Sequence, residues 1–110
     1  MAIDFDNLIS LLEDKIAVLA KSTVSNYVND ASEDGKQLLL ELKDDLSRWT
    51  QELADGKITT RDFETLLIGD KDLVEMDALT RAGLALARID QFKGSVFNLI
   101  IDTVFSTLKI

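Results

Sequence analysis

Apolar side chains recur at intervals of three and four over the first thirty residues. Since an α-helix turns once every 3.6 residues, this spacing gathers them on one face and predicts a helix over about residues 4–29. Asp4 and Asp6 stand at its start, where carboxylates accept hydrogen bonds from unpaired backbone N–H groups. The apolar stripe consists of Phe5, Leu8, Ile9, Leu12, Ile16, Leu19, Thr23, Tyr27 and Val28.

A second helix is predicted over about residues 36–54, with Ser32 as an alternative start. Residues 29–35 read Asn-Asp-Ala-Ser-Glu-Asp-Gly, and side chains of these types hydrogen-bond locally rather than propagate a helix, so we expect a break there. Asp55-Gly56 ends the second helix, because glycine adopts the left-handed cap conformation at low cost. Its apolar stripe is Leu38, Leu39, Leu42, Leu46, Trp49 and Leu53.

A short third helix follows over about residues 60–68. Thr59 or Thr60 caps its start, and an acidic residue in the first turn, Asp62, favours that end of a helix. We expect Gly69 to end it.

The fourth predicted helix is the longest, over about residues 71–108. Gly83 and Gly94 each cost about 1 kcal/mol relative to alanine, but no strong stop signal interrupts the pattern. Its stripe comprises Leu73, Met76, Leu79, Ala82, Leu86, Ile89, Val96, Phe97, Ile100, Val104 and Leu108.

The length of this fourth helix predicts self-association. A helix of about 38 residues is roughly 57 Å long, whereas a compact domain of this size has a radius of gyration of about 13–14 Å. One copy of the other helices would therefore leave apolar surface exposed, and such surfaces mark interfaces. The alternative is a monomer in which the chain bends at Gly94. The predicted interface consists of Leu86, Ile89, Val96, Phe97, Ile100, Val104, Phe105 and Leu108.

Composition and charge narrow the function classes. The chain has no proline and only five glycines, which favours long helices over strand-rich folds with many turns. The formal net charge is −8, with −10 over residues 1–77 and +2 over residues 78–110. This charge repels nucleic-acid phosphates and anionic lipid headgroups, so we expect no nucleic-acid partner, and the charge also disfavours a membrane partner.

The chain also lacks the residues of the commonest catalytic sites. It contains no histidine and no cysteine, which removes the usual general base, thiolate nucleophiles and zinc-thiolate sites. We therefore expect neither an enzyme nor a cofactor. The acidic N-terminal residues do not resemble an export signal, which predicts a cytoplasmic protein.

One segment has the spacing of a calcium loop. Asp30, Ser32 and Asp34, then Gly35 and Glu41, resemble an EF-hand loop with oxygen side chains at loop positions 1, 3, 5 and 12 and glycine at position 6. However, loop positions 8 and 9 are Gln37 and Leu38, where a branched apolar residue and an oxygen ligand are usual. Helix-capping Asp and Gly residues explain the match without a metal, and we assign no metal site.

Together these patterns predict an all-α helical bundle of three long helices and one short helix, a single domain completed by oligomerisation into a dimer or tetramer. The predicted function is a non-catalytic interaction or scaffold protein that associates with itself, or with an unknown protein partner, through the C-terminal helix. The alternative is a module that binds an apolar ligand or a membrane surface with the same helix. A calcium-binding protein and an enzyme are further alternatives that the residues favour less.

Overall fold

The computed structural model describes residues 3–110, which fold into an all-α bundle measuring 42 × 23 × 20 Å. A 3₁₀ turn at Ser25–Tyr27 separates the first two helices, and no strand forms within residues 3–110. In chain order the helices are α1 (Phe5–Thr23), α2 (Val28–Ala54), α3 (Thr60–Lys71), α4 (Asp77–Ala82) and α5 (Leu86–Leu108). The all-α prediction is confirmed, and the helix boundaries differ most in three places.

The first difference is the end of α1, at Thr23 rather than near residue 29. The Thr23 hydroxyl donates to the Leu19 carbonyl oxygen at 2.7 Å, and the Ser22 hydroxyl donates to the same atom at 3.0 Å. Such bonds compete with continued helical pairing. Val24 then leaves the helical conformation with its side chain buried, so the chain reverses here.

The second difference is the start of α2, because the predicted break at residues 29–35 is wrong. The helix runs unbroken through this segment from Val28. Ala31 is fully buried, and a β-carbon placed on Gly35 would lie 2.6 Å from Cγ2 of Ile16 in α1. The small residues therefore let α1 and α2 approach closely, and this packing outweighs the weak helix propensity of the segment.

The predicted start of α3 is confirmed. Thr59 and Asp62 form a capping box, in which Asp62 N donates to the Thr59 hydroxyl at 3.1 Å and Thr59 N donates to Asp62 Oδ2 at 2.9 Å. These hydrogen bonds lower the pKa of the Asp62 carboxyl. Gly69 does not end the helix, which continues to Lys71.

The third difference divides the predicted fourth helix in two. Gly83 adopts φ +91° and closes α4: its own N–H bonds to the Thr80 carbonyl oxygen at 3.2 Å, and Leu84 N bonds to the Leu79 carbonyl oxygen at 3.2 Å. This is the Schellman arrangement, which needs a left-handed residue and so favours glycine. The chain bends at Gly83 and not at Gly94, which lies inside α5.

α5 lies at the centre of the bundle, where it packs against α1 and α3 and also meets α2 and α4. Phe97, Ile100 and Val104 are buried. Phe105 meets Phe63 of α3 with ring centroids 5.8 Å apart in a tilted geometry, which favours aromatic contact. The bend at Gly83 thus shortens the apolar helix to 23 residues, and most of its apolar face is buried in the core while Leu86 stays exposed.

We predict that Gly35→Ala destabilises the protein and that Gly69→Ala stabilises it. Alanine at position 35 clashes with Ile16, and overpacking of this kind costs about 1–3 kcal/mol. No atom lies within 4 Å of a β-carbon added at Gly69, so alanine there gains about 0.5–1 kcal/mol from helix propensity alone. The free energies of unfolding in urea provide the measurement. Equal shifts in both variants would contradict the close helix contact.

Candidate functional site: a charged groove between α1 and α2

The predicted interface along α5 does not form one exposed surface. Five of its residues are buried in the core, Phe105 and Leu108 are half-buried, and Leu86 is 71% exposed. The buried residues are Ile89, Val96, Phe97, Ile100 and Val104. The reason for expecting a seam there, an apolar rod that its own chain cannot shield, is therefore wrong. Self-association stays a prediction and requires another surface.

The four candidate calcium ligands lie on one continuous helix and form no loop. Asp30 and Glu41 are about 16 Å apart along α2 at 1.5 Å per residue, and Ser32 points away from both. The Asp34 carboxylate is buried and accepts hydrogen bonds from Ala78 N at 2.9 Å and Leu79 N at 2.8 Å. No group of three or more acidic, histidine or cysteine side chains arranged for a metal occurs in the described part of the chain.

A groove runs along the outer side of the α1–α2 pair. We call it the α1–α2 groove; its two adjoining parts, of about 290 and 260 Å³, share Glu13 and Lys36. Its floor is apolar, and Leu40 on its rim is 66% exposed. Its lining residues are Asp6, Ile9, Ser10, Glu13, Asp14, Ile16, Ala17, Ser32, Gly35, Lys36, Leu39, Leu40 and Lys43.

The two walls of this groove carry opposite charges. Asp6 and Glu13 lie seven residues apart on α1, and Lys36 and Lys43 lie seven residues apart on the antiparallel α2. All four side chains are exposed. Within the part of the chain that the structure describes, no salt bridge joins the two walls, whereas Arg48 and Asp45 do pair at 3.0 Å along α2. The groove therefore presents one acidic and one basic wall to solvent.

The groove does not follow from the apolar stripes, because its charged residues and Leu40 lie off them. Leu40 stands beside the stripe of α2 and was not assigned to any surface. The available signal was the matched seven-residue spacing of acids on one helix and lysines on the next. That spacing becomes meaningful only when the two helices are known to be antiparallel neighbours.

An apolar groove at the end of α5 is the surface of this helix that best fits the alternative of an apolar-ligand module. It has a volume of about 270 Å³ and is lined by Ile3, Leu8, Leu11 and Leu108. Small-molecule sites usually measure about 300–1,000 Å³, so this groove is slightly smaller than that range. None of the helices between residues 3 and 110 is long and apolar enough to cross a bilayer.

An acidic pair lies between α2 and α3. Burial raises the pKa of the Asp70 carboxyl, and the neighbouring Asp45 carboxyl raises it further, while the Arg48 guanidinium acts in the opposite direction. Oδ2 of Asp70 is shielded from solvent and accepts no hydrogen bond from any described residue. Two ionised carboxylates are acceptors only, so a proton on Asp70 would let the pair form a hydrogen bond.

Comparison with known proteins gives no relative: no protein-family model matches the sequence, and no curated protein or solved structure matches it significantly. The function must therefore be argued from the chain's own surfaces.

We predict that Asp70→Asn stabilises the fold at neutral pH more than at acid pH. The pKa of Asp70 is higher in the folded than in the unfolded state, so its ionised form opposes folding above the folded-state pKa, and this cost disappears below the unfolded value near 3.8. Urea unfolding of both proteins at pH 7 and near pH 3 measures the difference. Asp44→Asn removes the same charge from an exposed position of α2 and serves as the control. An equal gain at both pH values would contradict the raised pKa.

Proposed function

We propose that this chain is a non-catalytic helical interaction protein that self-associates through the α1–α2 groove. The observation that carries the proposal is the arrangement of opposite charges on the two walls beside an exposed leucine. The cytoplasmic location predicted from the sequence belongs to the same proposal. The groove replaces the C-terminal helix as the contact surface, because most of that helix is enclosed.

The charge pattern of the groove complements itself under two-fold symmetry. A two-fold axis parallel to the groove keeps each residue's position along it and exchanges the walls, so Asp6 of one copy faces Lys43 of the other. By the same rotation Glu13 faces Lys36. Closed dimers with a two-fold axis use one self-complementary surface of this kind. A two-fold axis across the groove would instead place acid against acid, so the charges also select the orientation.

Leu40 supplies the apolar part of the contact. Exposed ion pairs contribute only about 0.2–1 kcal/mol each, whereas full burial of a leucine side chain contributes about 1.5–3 kcal/mol. Two copies related by symmetry each bury Leu40 near the floor residues Ile9 and Leu39. The leucines therefore provide affinity, and the charged walls provide orientation and specificity.

We expect Leu40→Glu to abolish dimerisation and Val18→Glu to leave it intact. Both residues are exposed aliphatic side chains on helices, each with 66% exposure, and both changes add one negative charge, but Val18 does not line the groove. Light scattering after gel filtration should give twice the 12.2 kDa chain mass for the wild type and Val18→Glu, and the monomer mass for Leu40→Glu. A wild-type monomer at the highest soluble concentration would refute the proposal.

Reversal of each wall tests the charge pattern separately. The pair Asp6→Lys with Glu13→Lys makes both walls basic, and the pair Lys36→Glu with Lys43→Glu makes both walls acidic. Each double variant alone should be monomeric because like charges face each other, and an equimolar mixture should form a heterodimer. Added salt should weaken that heterodimer, since the charges are exposed. Homodimers of either variant, or no heterodimer in the mixture, would contradict the two-fold arrangement.

A further inference from the structure

A polar cleft separate from the α1–α2 groove lies where the C-terminal ends of α1 and α3 meet the first half of α5. Its volume is about 560 Å³, within the range of small-molecule sites. No residue lines both this cleft and the groove. We call it the α5 cleft, defined by Lys71, Arg88, Asp90, Gln91, Ser95 and Asn98.

The charge of the α5 cleft differs from that of the chain. The whole sequence has 20 acidic and 12 basic residues, whereas the cleft holds two basic side chains, Lys71 and Arg88, and one acidic side chain, Asp90. The cleft is thus a local positive region on an acidic protein. Such a region attracts anions that the rest of the surface repels.

Both basic side chains are positioned by the fold. Nη2 of Arg88 donates to the Thr23 carbonyl oxygen at 3.0 Å, across 65 residues of sequence. This bond uses one of the five N–H groups of the guanidinium. Lys71 is half-buried beside α5, where a β-carbon on Gly94 would lie 3.4 Å from Nζ. The absence of a side chain at position 94 therefore lets the ammonium group lie close to the helix.

Lys71 has no carboxylate partner in the described structure, since no salt bridge to it forms between residues 3 and 110. Lys93, in contrast, donates from Nζ to the Val74 carbonyl oxygen at 3.0 Å. Lys71 therefore has the capacity to bind an external anion.

Neutral hydrogen-bonding side chains also line the cleft. Gln91, Ser95 and Asn98 are spaced by four and three residues, which places them on one face of α5. None of them makes a side-chain hydrogen bond to another residue in the described region. Their amide and hydroxyl groups supply N–H and O–H donors of the kind that oxyanions accept.

We propose that the α5 cleft binds a small molecule bearing an oxyanion, a carboxylate or a phosphate, through Lys71 and Arg88. Gln91, Ser95 and Asn98 donate further hydrogen bonds to its oxygens. Asp90 lowers the affinity, because its charge repels the anion. The site is independent of the proposed self-association, and a failure of either proposal leaves the other standing.

Titration of the full ¹⁵N-labelled chain with inorganic phosphate, and separately with citrate, tests the site by NMR at constant ionic strength. The expected result is a saturable shift of the Gln91, Ser95 and Asn98 signals with a Kd below about 1 mM, the upper end of the usual range for metabolites. Binding of phosphate alone supports a phosphate-bearing ligand, and binding of citrate alone supports a carboxylate ligand. If neither probe gives a saturable shift, the proposal is overturned.

Three variants assign the binding to the cleft. Lys71→Met should weaken binding by at least about tenfold, the effect of losing one hydrogen bond to a charged group, and Asp90→Asn should strengthen it. Lys57→Met removes the same charge as Lys71→Met from an exposed position after α2 and should leave the Kd nearly unchanged. An equal loss in the Lys57 and Lys71 variants, or weaker binding by Asp90→Asn, would contradict the proposed site.

Discussion

The buried carboxylate of Asp34 determines how the second half of the chain meets the first. It accepts hydrogen bonds from Ala78 N and Leu79 N at the start of α4, a helix whose own flanking residue provides no side-chain cap. Charged acceptors on otherwise unpaired N–H groups are among the stronger hydrogen bonds in proteins. By holding α4 against α2, Asp34 sets the place from which Gly83 turns the chain and α5 enters the core. These two hydrogen bonds therefore help to set the position from which α5 packs into the core.

Periodicity in the sequence predicts the helical class, the buried stripes and the capping box at Thr59, because each of these depends on residues within one or two turns. The helix boundaries that differ depend on distant contacts. Asp34 and Gly35 resemble helix breakers when considered locally, yet one caps a helix 44 residues away and the other admits Ile16. Gly83 and Gly94 have the same intrinsic propensity. Only the position of α4 against α2 makes Gly83 the bend.

The predicted function depended on one of these boundaries. A continuous helix over residues 71–108 would have left apolar surface for a partner, and the division at Gly83 removes that surplus. Both proposed binding surfaces carry charged or polar side chains that lie outside the apolar stripes. The apolar periodicity of a sequence identifies side chains that face the core. Residues that form grooves on the surface can be identified only when the packing of the helices is known. Leu40 and Lys71 illustrate this limit.

The close packing of Gly35 against Ile16 also bears on the proposed dimer contact. Both residues line the α1–α2 groove, so the contact that fixes the spacing of the two helices also fixes the separation of the acidic and basic walls. A larger residue at position 35 would change the width of the groove as well as the stability of the fold. Substitutions at position 35 therefore change the stability of the fold and the width of the groove together. The packing of the core thus limits which changes the proposed dimer contact can accommodate.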